Sequence, residues 1–186
     1  ILAMVDEALG DRSLNSVDLI ACGVGPGSFT GIRVAVGVAQ GLGWSLDIPV
    51  LPVCSLASQA QSVPLPVGTR ILSAMDAQIG QVYWAWFEVS KAGLVELRAP
   101  SVSLPTDVTG PNGEPLSQVA PGFVIVGDGS GLVSDAHDAL TIKDILAEAR
   151  PRPSNTALDF LDQIDQSRLL QASQLCLLYT SPSPRD

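Results

Sequence analysis

A glycine-rich turn at residues 25–33, with the sequence GPGSFTGIR, constrains the fold of this chain more than any other segment. The apolar run at residues 18–24 before it predicts a buried strand, and residues 30–45 predict a helix. A glycine-rich connection from a strand to a helix is typical of α/β proteins, which often bind anions there. The turn lacks the Gly-Lys-Ser/Thr ending of a P-loop, and Thr30 occupies the third glycine position of a dinucleotide fingerprint. It therefore predicts an α/β fold and names no ligand.

The turn itself allows two interpretations. In the first, exposed backbone N–H groups form a cradle for an anion, with Arg33 one helical turn further on. In the second, the glycines only allow a tight connection and a hydroxyl caps the helix. Both stay open from the residues alone. The candidate anion-binding residues are the small residues of the turn: Gly25, Gly27, Ser28, Thr30 and Gly31.

The net charge of −9 on 186 residues limits the partners of the chain. A protein that binds nucleic acid through phosphates needs a basic surface, so we expect no direct tight binding of RNA or DNA. The most apolar stretch, residues 31–51, contains Arg33, Gln40 and Asp47, and we therefore expect no membrane span.

The cysteines and the start of the chain favour a cytoplasmic protein. Cys22, Cys54 and Cys176 are isolated in the sequence and are predicted to be reduced. The first two lie in apolar runs, where we expect buried thiols. No signal peptide is recognisable.

The order of predicted elements divides the chain into two lobes. The first lobe, residues 1–63, is predicted to contain helices at 1–10, 30–45 and 55–62 and strands at 18–24 and 49–54. The second lobe, residues 69–165, is predicted to contain strands at 70–76, 81–89, 94–102 and 123–126 and helices at 138–149 and 156–164. Residues 175–186 have no periodicity and are predicted to be a non-native tail.

The strand at residues 81–89 is apolar on both faces. Alternate side chains of a strand point to opposite sides of the sheet. The two predicted faces are Val82, Trp84 and Trp86 on one side and Tyr83, Ala85 and Phe87 on the other. We therefore expect a layer of packing on each side of this sheet.

The helix after the turn contains an unusual number of glycines. Gly37, Gly41 and Gly43 each cost about 1 kcal/mol relative to alanine in a helix. Gly37 and Gly41 share one face, where small residues let another backbone approach closely. That backbone belongs either to the sheet of this chain or to another protein chain, and the residues support both equally.

Candidate catalytic groups are few. Asp76 and Asp128 follow predicted strands and are interpreted as turn-capping residues. The single histidine, His137, lies in a polar segment and is expected to be exposed. No metal-binding spacing of histidines or cysteines occurs, and no G-x-S-x-G elbow, so we predict neither a metal site nor a catalytic set.

Three motifs, together with the predicted strand from Pro49 to Ser55, carry a resemblance to a known family. GPGSFTGIR at residues 25–33, GVAQGL at 37–42 and ILSAMDAQIGQVYWA at 71–85 resemble the TsaB (YeaZ) family, although Gln78 stands where arginine is common. The resemblance implies an α/β, actin-like ASKHA (RNase H-like) two-lobe fold. The family's first strand and hairpin would precede Ile1, so we expect a first lobe truncated at its N-terminus.

The resemblance also implies a function. Members are non-catalytic subunits that dimerise with TsaD, with TsaE in the larger complex, for threonylcarbamoyl transfer to an adenosine of ANN-decoding tRNAs. No cofactor is implied for the chain alone, and ATP or ADP is implied at the interface of the complex. The implied partner surface comprises Leu2, Val5, Leu9, Arg33, Val34, Gly37, Val38, Gln40, Gly41 and Trp44. The alternatives are an ATP-binding ASKHA enzyme, a peptidase-like protein, or a homodimeric interaction module.

Overall fold

The computed structural model describes residues 1–120, 122–137, 140 and 142–147. The described residues divide into two compact units, Ile1–Val53 and a second unit that begins at Cys54. The helix after β2 belongs to the second unit, whereas the sequence placed it at the end of the first lobe. The predicted lobe boundaries otherwise stay predictions. The predicted helix at 156–164 and the predicted tail at 175–186 lie outside the described residues.

The first unit is built around one long helix. Its elements are α1 (Leu2–Leu9), a short 3₁₀ helix (Leu14–Ser16), β1 (Ile20–Gly25), α2 (Phe29–Leu46) and β2 (Val50–Cys54). β1 and β2 form a two-stranded sheet, against which α2 packs its buried side. The core of this unit comprises Cys22, Val24, Ile32, Val36, Ala39 and Val50. The α-helices and strands of this unit begin and end within two residues of the predicted positions, and the short 3₁₀ helix was not predicted.

The second unit is a five-stranded mixed sheet with helices. Its elements are α3 (Ser55–Gln61), β3 (Arg70–Asp76), β4 (Val82–Ser90), β5 (Gly93–Ser103), β6 (Phe123–Val126), α4 (Ser130–Ala136) and β7 (Ile142–Leu146). The strand order is β5-β4-β3-β6-β7. β4 pairs antiparallel with β3 and β5, while β6 pairs parallel with β3 and β7. Two short 3₁₀ helices, Pro105–Asp107 and Leu116–Gln118, lie between β5 and β6.

The predicted double-sided burial of β4 is confirmed. Val82, Trp84 and Trp86 belong to one hydrophobic cluster. Tyr83, Ala85 and Phe87 belong to the other cluster, which includes Leu56 and Ala60 of α3.

The predicted helix at residues 138–149 is wrong where the structure describes that segment. Ile142–Leu146 forms β7, which pairs parallel with β6. A short segment has only a weak intrinsic preference for helix. Here, pairing with the neighbouring buried strand β6 outweighs that preference. The sequence also missed α4, Ser130–Ala136, because the preceding glycines indicate only a turn.

Candidate functional site

The N-terminus of α2 is closed by its own residues. Ser28 is the N-cap, and its hydroxyl oxygen accepts a hydrogen bond from the backbone N–H of Gly31 at 3.4 Å, as predicted. Gly25 and Gly27 have positive φ, whereas Gly31 lies inside the helix. The guanidinium of Arg33 lies 3.6 Å from the ring centroid of Phe29. The cap is thus confirmed, and anion binding by the turn stays a prediction.

One side of α2 is exposed along its whole length. The exposed residues recur at spacings of four and three, which is one stripe of a helix. We call this set the α2 stripe; it comprises Thr30, Val34, Gly37, Gly41 and Trp44. The opposite side of the helix carries the buried residues Ile32, Val36, Ala39 and Gly43.

The centre of the α2 stripe is formed by Gly37 and Gly41, which have no side chains, and an apolar side chain protrudes on either side of them. Val34 is 46% exposed and Trp44 is 75% exposed. A Cβ atom added at Gly37 or Gly41 would meet no atom within 4 Å. Packing among the described residues therefore does not require glycine at either position, because the space above both is open.

The remaining predicted partner residues divide between exposed and half-buried positions. Helix α1 buries none of its residues completely. Leu2 is exposed, and Val5 and Leu9 are half-buried. On α2, Arg33 is exposed, whereas Val38 and Gln40 are half-buried. The structure brings the α2 members together on one helix; their role as an interface stays a prediction.

The two candidate acidic residues are engaged in backbone hydrogen bonds. The Asp76 carboxylate accepts from the N–H of Gln78 at 2.7 Å, which closes the turn after β3. The Asp128 carboxylate accepts from the N–H of Asp76 at 3.1 Å. It thereby joins the ends of the parallel strands β3 and β6. The turn-capping interpretation of both residues is confirmed.

The expectation that His137 is exposed is wrong. The residue follows α4 directly, and its ring is half-buried. Its Nε2 lies 2.9 Å from the carbonyl oxygen of Pro105, to which the protonated ring nitrogen donates. In the part of the chain that the structure describes, no group of three or more His, Cys, Asp or Glu side chains could hold a metal ion.

The two described cysteines are free thiols. Cys22 is buried in the core of the first unit, and burial raises its pKa above the usual range. Cys54 is half-buried, and its pKa is raised chiefly by burial, although backbone hydrogen bonds from Ala57 and Leu56 oppose the shift. No described helix is long and apolar enough to cross a membrane.

Sequence reasoning missed one buried polar centre. The Gln59 side-chain amide donates to Ser73 Oγ at 2.9 Å, to the Val126 carbonyl at 3.0 Å and to the Ala74 carbonyl at 3.2 Å. It therefore ties α3 to both β3 and β6 where these strands lead into the turns at Asp76 and Gly127. No local sequence signal identifies it, because its partners are distant in the sequence.

Comparisons with known proteins agree with this fold. The family model described as TsaD, tRNA N6-adenosine threonylcarbamoyltransferase, matches residues 1–163. A solved structure of YeaZ from Pseudomonas aeruginosa has a TM-score of 0.82 and 30% identity, covering 96% of this chain and 82% of that one. A second structure, of a Pseudomonas aeruginosa protein with similarity to peptidase YEAZ, has a TM-score of 0.82 and 29% identity, covering 96% and 81%.

Two curated relatives share the same protein name. The tRNA threonylcarbamoyladenosine biosynthesis protein TsaB of Escherichia coli is 36% identical over 132 residues, which are 69% of this chain and 56% of the relative. TsaB of Haemophilus influenzae is 44% identical over 88 residues, which are 46% of this chain and 37% of the relative. The chain thus matches about half or less of the length of these relatives.

The two sheets and the structural matches define an α/β protein of the actin-like ASKHA class, as predicted. Within that class, the chain belongs to the TsaB (YeaZ) family, which the TsaD family model also covers.

Proposed function

We propose that this chain acts in threonylcarbamoyladenosine synthesis on tRNA as a non-catalytic subunit that docks to TsaD through the α2 stripe. The relatives named TsaB are threonylcarbamoyladenosine biosynthesis proteins, which supports the assignment of this chain to that pathway. The exposed α2 stripe supports docking to a partner chain, and it is the single observation that carries the proposal.

The α2 stripe has the composition of an interface. Trp44 leaves three quarters of its surface in water (75% exposed), although tryptophan is enriched among the residues that dominate binding energy. Gly37 and Gly41 together cost about 2 kcal/mol of helix stability relative to alanine. Since the described part of the chain leaves the space above both glycines open, close approach of a partner helix accounts for that cost.

Helix α1 supports the same proposal. An isolated helix of eight residues is marginal in water, and most helices gain their stability by packing one face. This helix buries no residue completely and exposes Leu2. A partner that covers α1 would supply the missing contacts, so α1 forms the second docking helix of the proposal.

The rest of the proposal follows from charge and from the engaged side chains. Asp76, Asp128 and His137 already bind backbone groups, which supports a subunit without its own catalytic set. The net charge of −9 supports tRNA binding by the partner instead of by this chain. ATP or ADP binds at the interface of the complex, TsaE joins the larger assembly, and the complex acts in the cytoplasm.

The docking experiment compares two matched valines. Val34→Arg places a charge on the α2 stripe, while Val67→Arg makes the same change at an exposed valine (61%) of the second unit. We expect Val34→Arg to weaken binding to TsaD of the same organism by at least about tenfold, and Val67→Arg to bind as the wild type does. Calorimetric titration measures the affinity of both variants for TsaD. Equal binding by the two variants would contradict docking through this stripe.

The activity experiment separates the alternatives. TsaD, TsaE and the threonylcarbamoyl-AMP synthase are incubated with ATP, threonine, bicarbonate and tRNA, with and without the chain. We expect modified tRNA only when the chain is present. Hydrolysis of peptides or ATP by the chain alone would support the enzyme alternative, and light scattering of the chain alone tests the homodimer.

A further inference from the structure

We propose that Arg33 forms an ion pair with a carboxylate of the docking partner, and that Phe29 holds the guanidinium in position for it. The inference rests on the proposed function, because it assigns the chemistry of the partner surface opposite the α2 stripe. Arg33 is the only charged residue among the 18 residues of α2. It follows Thr30 by three positions and precedes Gly37 by four, so it lies on the side of the helix that carries the stripe.

The guanidinium of Arg33 is held in place, yet it has no hydrogen-bond acceptor among the described residues. Its Cζ lies 3.6 Å from the ring centroid of Phe29, one helical turn earlier. Stacking uses one face of the planar group and leaves the N–H donors at its edge open. Arg70 and Arg98 of the second unit, by contrast, donate hydrogen bonds to backbone carbonyls.

Docking through the α2 stripe takes this charge out of water. A partner backbone that approaches closely over Gly37 also covers the side chain of Arg33 one turn before it. Burial of a charge is strongly unfavourable unless a counter-charge and hydrogen bonds accompany it. The described part of the chain supplies neither, so the partner has to supply both. A carboxylate meets this need, because its two oxygens accept from the parallel N–H groups of a guanidinium.

A carboxylate fits this position better than the phosphates of a nucleotide or of RNA. A polyphosphate carries several negative charges, whereas α2 offers one cation and the chain has a net charge of −9. The N–H of Gly31, at the start of the helix where phosphates often bind, already donates to the hydroxyl of Ser28. We therefore assign Arg33 to an aspartate or glutamate side chain of the partner.

The first experiment is calorimetric titration of TsaD of the same organism, without nucleotide. Arg33→Gln should weaken binding by at least about thirtyfold, because the carboxylate of the partner then stays buried without its counter-charge. Arg33→Lys keeps the charge but loses the planar fork, so it should weaken binding by a smaller factor. Lys91→Gln is the matched control: it removes one exposed cation between β4 and β5 of the second unit and should bind as the wild type does.

The second experiment tests the positioning role of Phe29. Phe29→Leu should weaken binding by about threefold in the wild-type background and have no effect in Arg33→Gln, because the ring acts through the guanidinium. Nuclear magnetic resonance of the free chain supplies a readout without TsaD. The Phe29 ring should shift the side-chain proton signals of Arg33 upfield, and Phe29→Leu should abolish that shift.

Asp→Asn and Glu→Gln substitutions on the surface of TsaD locate the carboxylate. One of them should weaken binding of the wild-type chain as Arg33→Gln does, and should cause no further loss with the Arg33→Gln chain. The inference is overturned if Arg33→Gln binds as the wild type does, if no carboxylate of TsaD is coupled to Arg33, or if the loss occurs only with ATP or ADP present. The last result would assign Arg33 to a phosphate.

The wild-type titration separates this inference from the proposed function. If the wild-type chain binds TsaD and Arg33→Gln binds equally well, docking stands and the ion pair is wrong. If the wild-type chain does not bind TsaD at all, the proposed function fails and the ion pair fails with it.

Discussion

The side-chain amide of Gln59 occupies the space that a side chain at Gly127 would need. A Cβ atom at residue 127 would overlap Gln59 Nε2 and the carbonyl oxygen of Ala74. Gly127 also has a φ of 102°, which residues with a Cβ rarely adopt. The turn after β6 and helix α3 are thus mutually dependent, although they are far apart in the sequence.

Gly127→Ala should therefore destabilise the second unit by at least about 3 kcal/mol, from backbone strain together with the overlap. Urea unfolding followed by the fluorescence of the buried Trp84 and Trp86 measures the change. Gly131→Ala is the matched control: no atom lies within 4 Å of the added methyl, and alanine favours the helix, so stability should not fall.

A double-mutant cycle separates the overlap from the strain. In a Gln59→Ala background, Gly127→Ala should cost about 1 kcal/mol less than in the wild type, because one of the two overlapping groups is gone. The strain and the overlap with Ala74 remain. Full additivity of the two changes would show that the contact with Gln59 does not matter.

Asp47→Gly should stabilise α2 by about 1 kcal/mol. Asp47 ends this helix in the left-handed region, at φ 53° and ψ 42°, and the N–H of Ile48 donates to the carbonyl of Gly43 at 3.1 Å. Glycine adopts that backbone without a steric penalty. Hydrogen exchange of the α2 amides measures the gain.

Asp47→Ala is the control for charge. Both substitutions remove a negative charge from the C-terminal end of the helix, where it is unfavourable. Only glycine also removes the Cβ from the left-handed conformation. An equal gain from alanine would assign the effect to charge and contradict the backbone explanation.

The raised pKa values of the two thiols should make the free energy of unfolding fall in alkaline solution. Burial raises the pKa of Cys22 and of Cys54 above the ordinary 9.0. Above that pH the unfolded chain loses these protons while the folded chain keeps them. The thiol contribution is therefore fully present below the unfolded pKa and is lost as pH rises towards the folded pKa.

The measurement compares urea unfolding at about pH 8 and about pH 10 in the wild type and in Cys22→Ala. Other alkaline groups titrate in both proteins and cancel in the difference. The free energy of unfolding should fall less in the variant. An identical fall in both would mean that the Cys22 thiol does not titrate differently in the folded state.

Local patterns were enough to predict the elements around the site. The glycine turn, α2, β3 and both faces of β4 were predicted because each depends on neighbouring residues and on periodicity. The predicted helix that proved to be β7 failed because a short segment takes its structure from the strand beside it. Gln59 was missed because its hydrogen bond to Val126 spans 67 positions.

The candidate site was predictable in composition but not in orientation. The glycines at 37 and 41 share one helix face in any α-helix. Whether that face packs on β1 or remains open depends on how the helix is rotated, which the nearly uniform small and apolar residues of α2 do not fix. The structure buries Val36 and Ala39 and leaves Val34 and Trp44 exposed.

Substitution of the stripe glycines should raise stability and impair docking together. Gly37→Ala and Gly41→Ala each should stabilise α2 by about 1 kcal/mol, because the methyl group meets no described atom within 4 Å apart from the adjacent backbone of its own helix. The same methyl groups should weaken binding to TsaD by about tenfold, since they occupy the surface where a partner helix approaches. Thermal unfolding by circular dichroism and calorimetric titration measure the two effects.

Gly131→Ala again supplies the control, since it adds a methyl to open space on α4, a helix of the second unit that is not part of the α2 stripe. It should leave TsaD binding unchanged. A stability gain at Gly37 and Gly41 without any loss of affinity would contradict close approach at these glycines. Docking through the α2 stripe would then depend on side chains such as Val34 and Trp44, and the interface would not explain why the helix keeps two destabilising glycines.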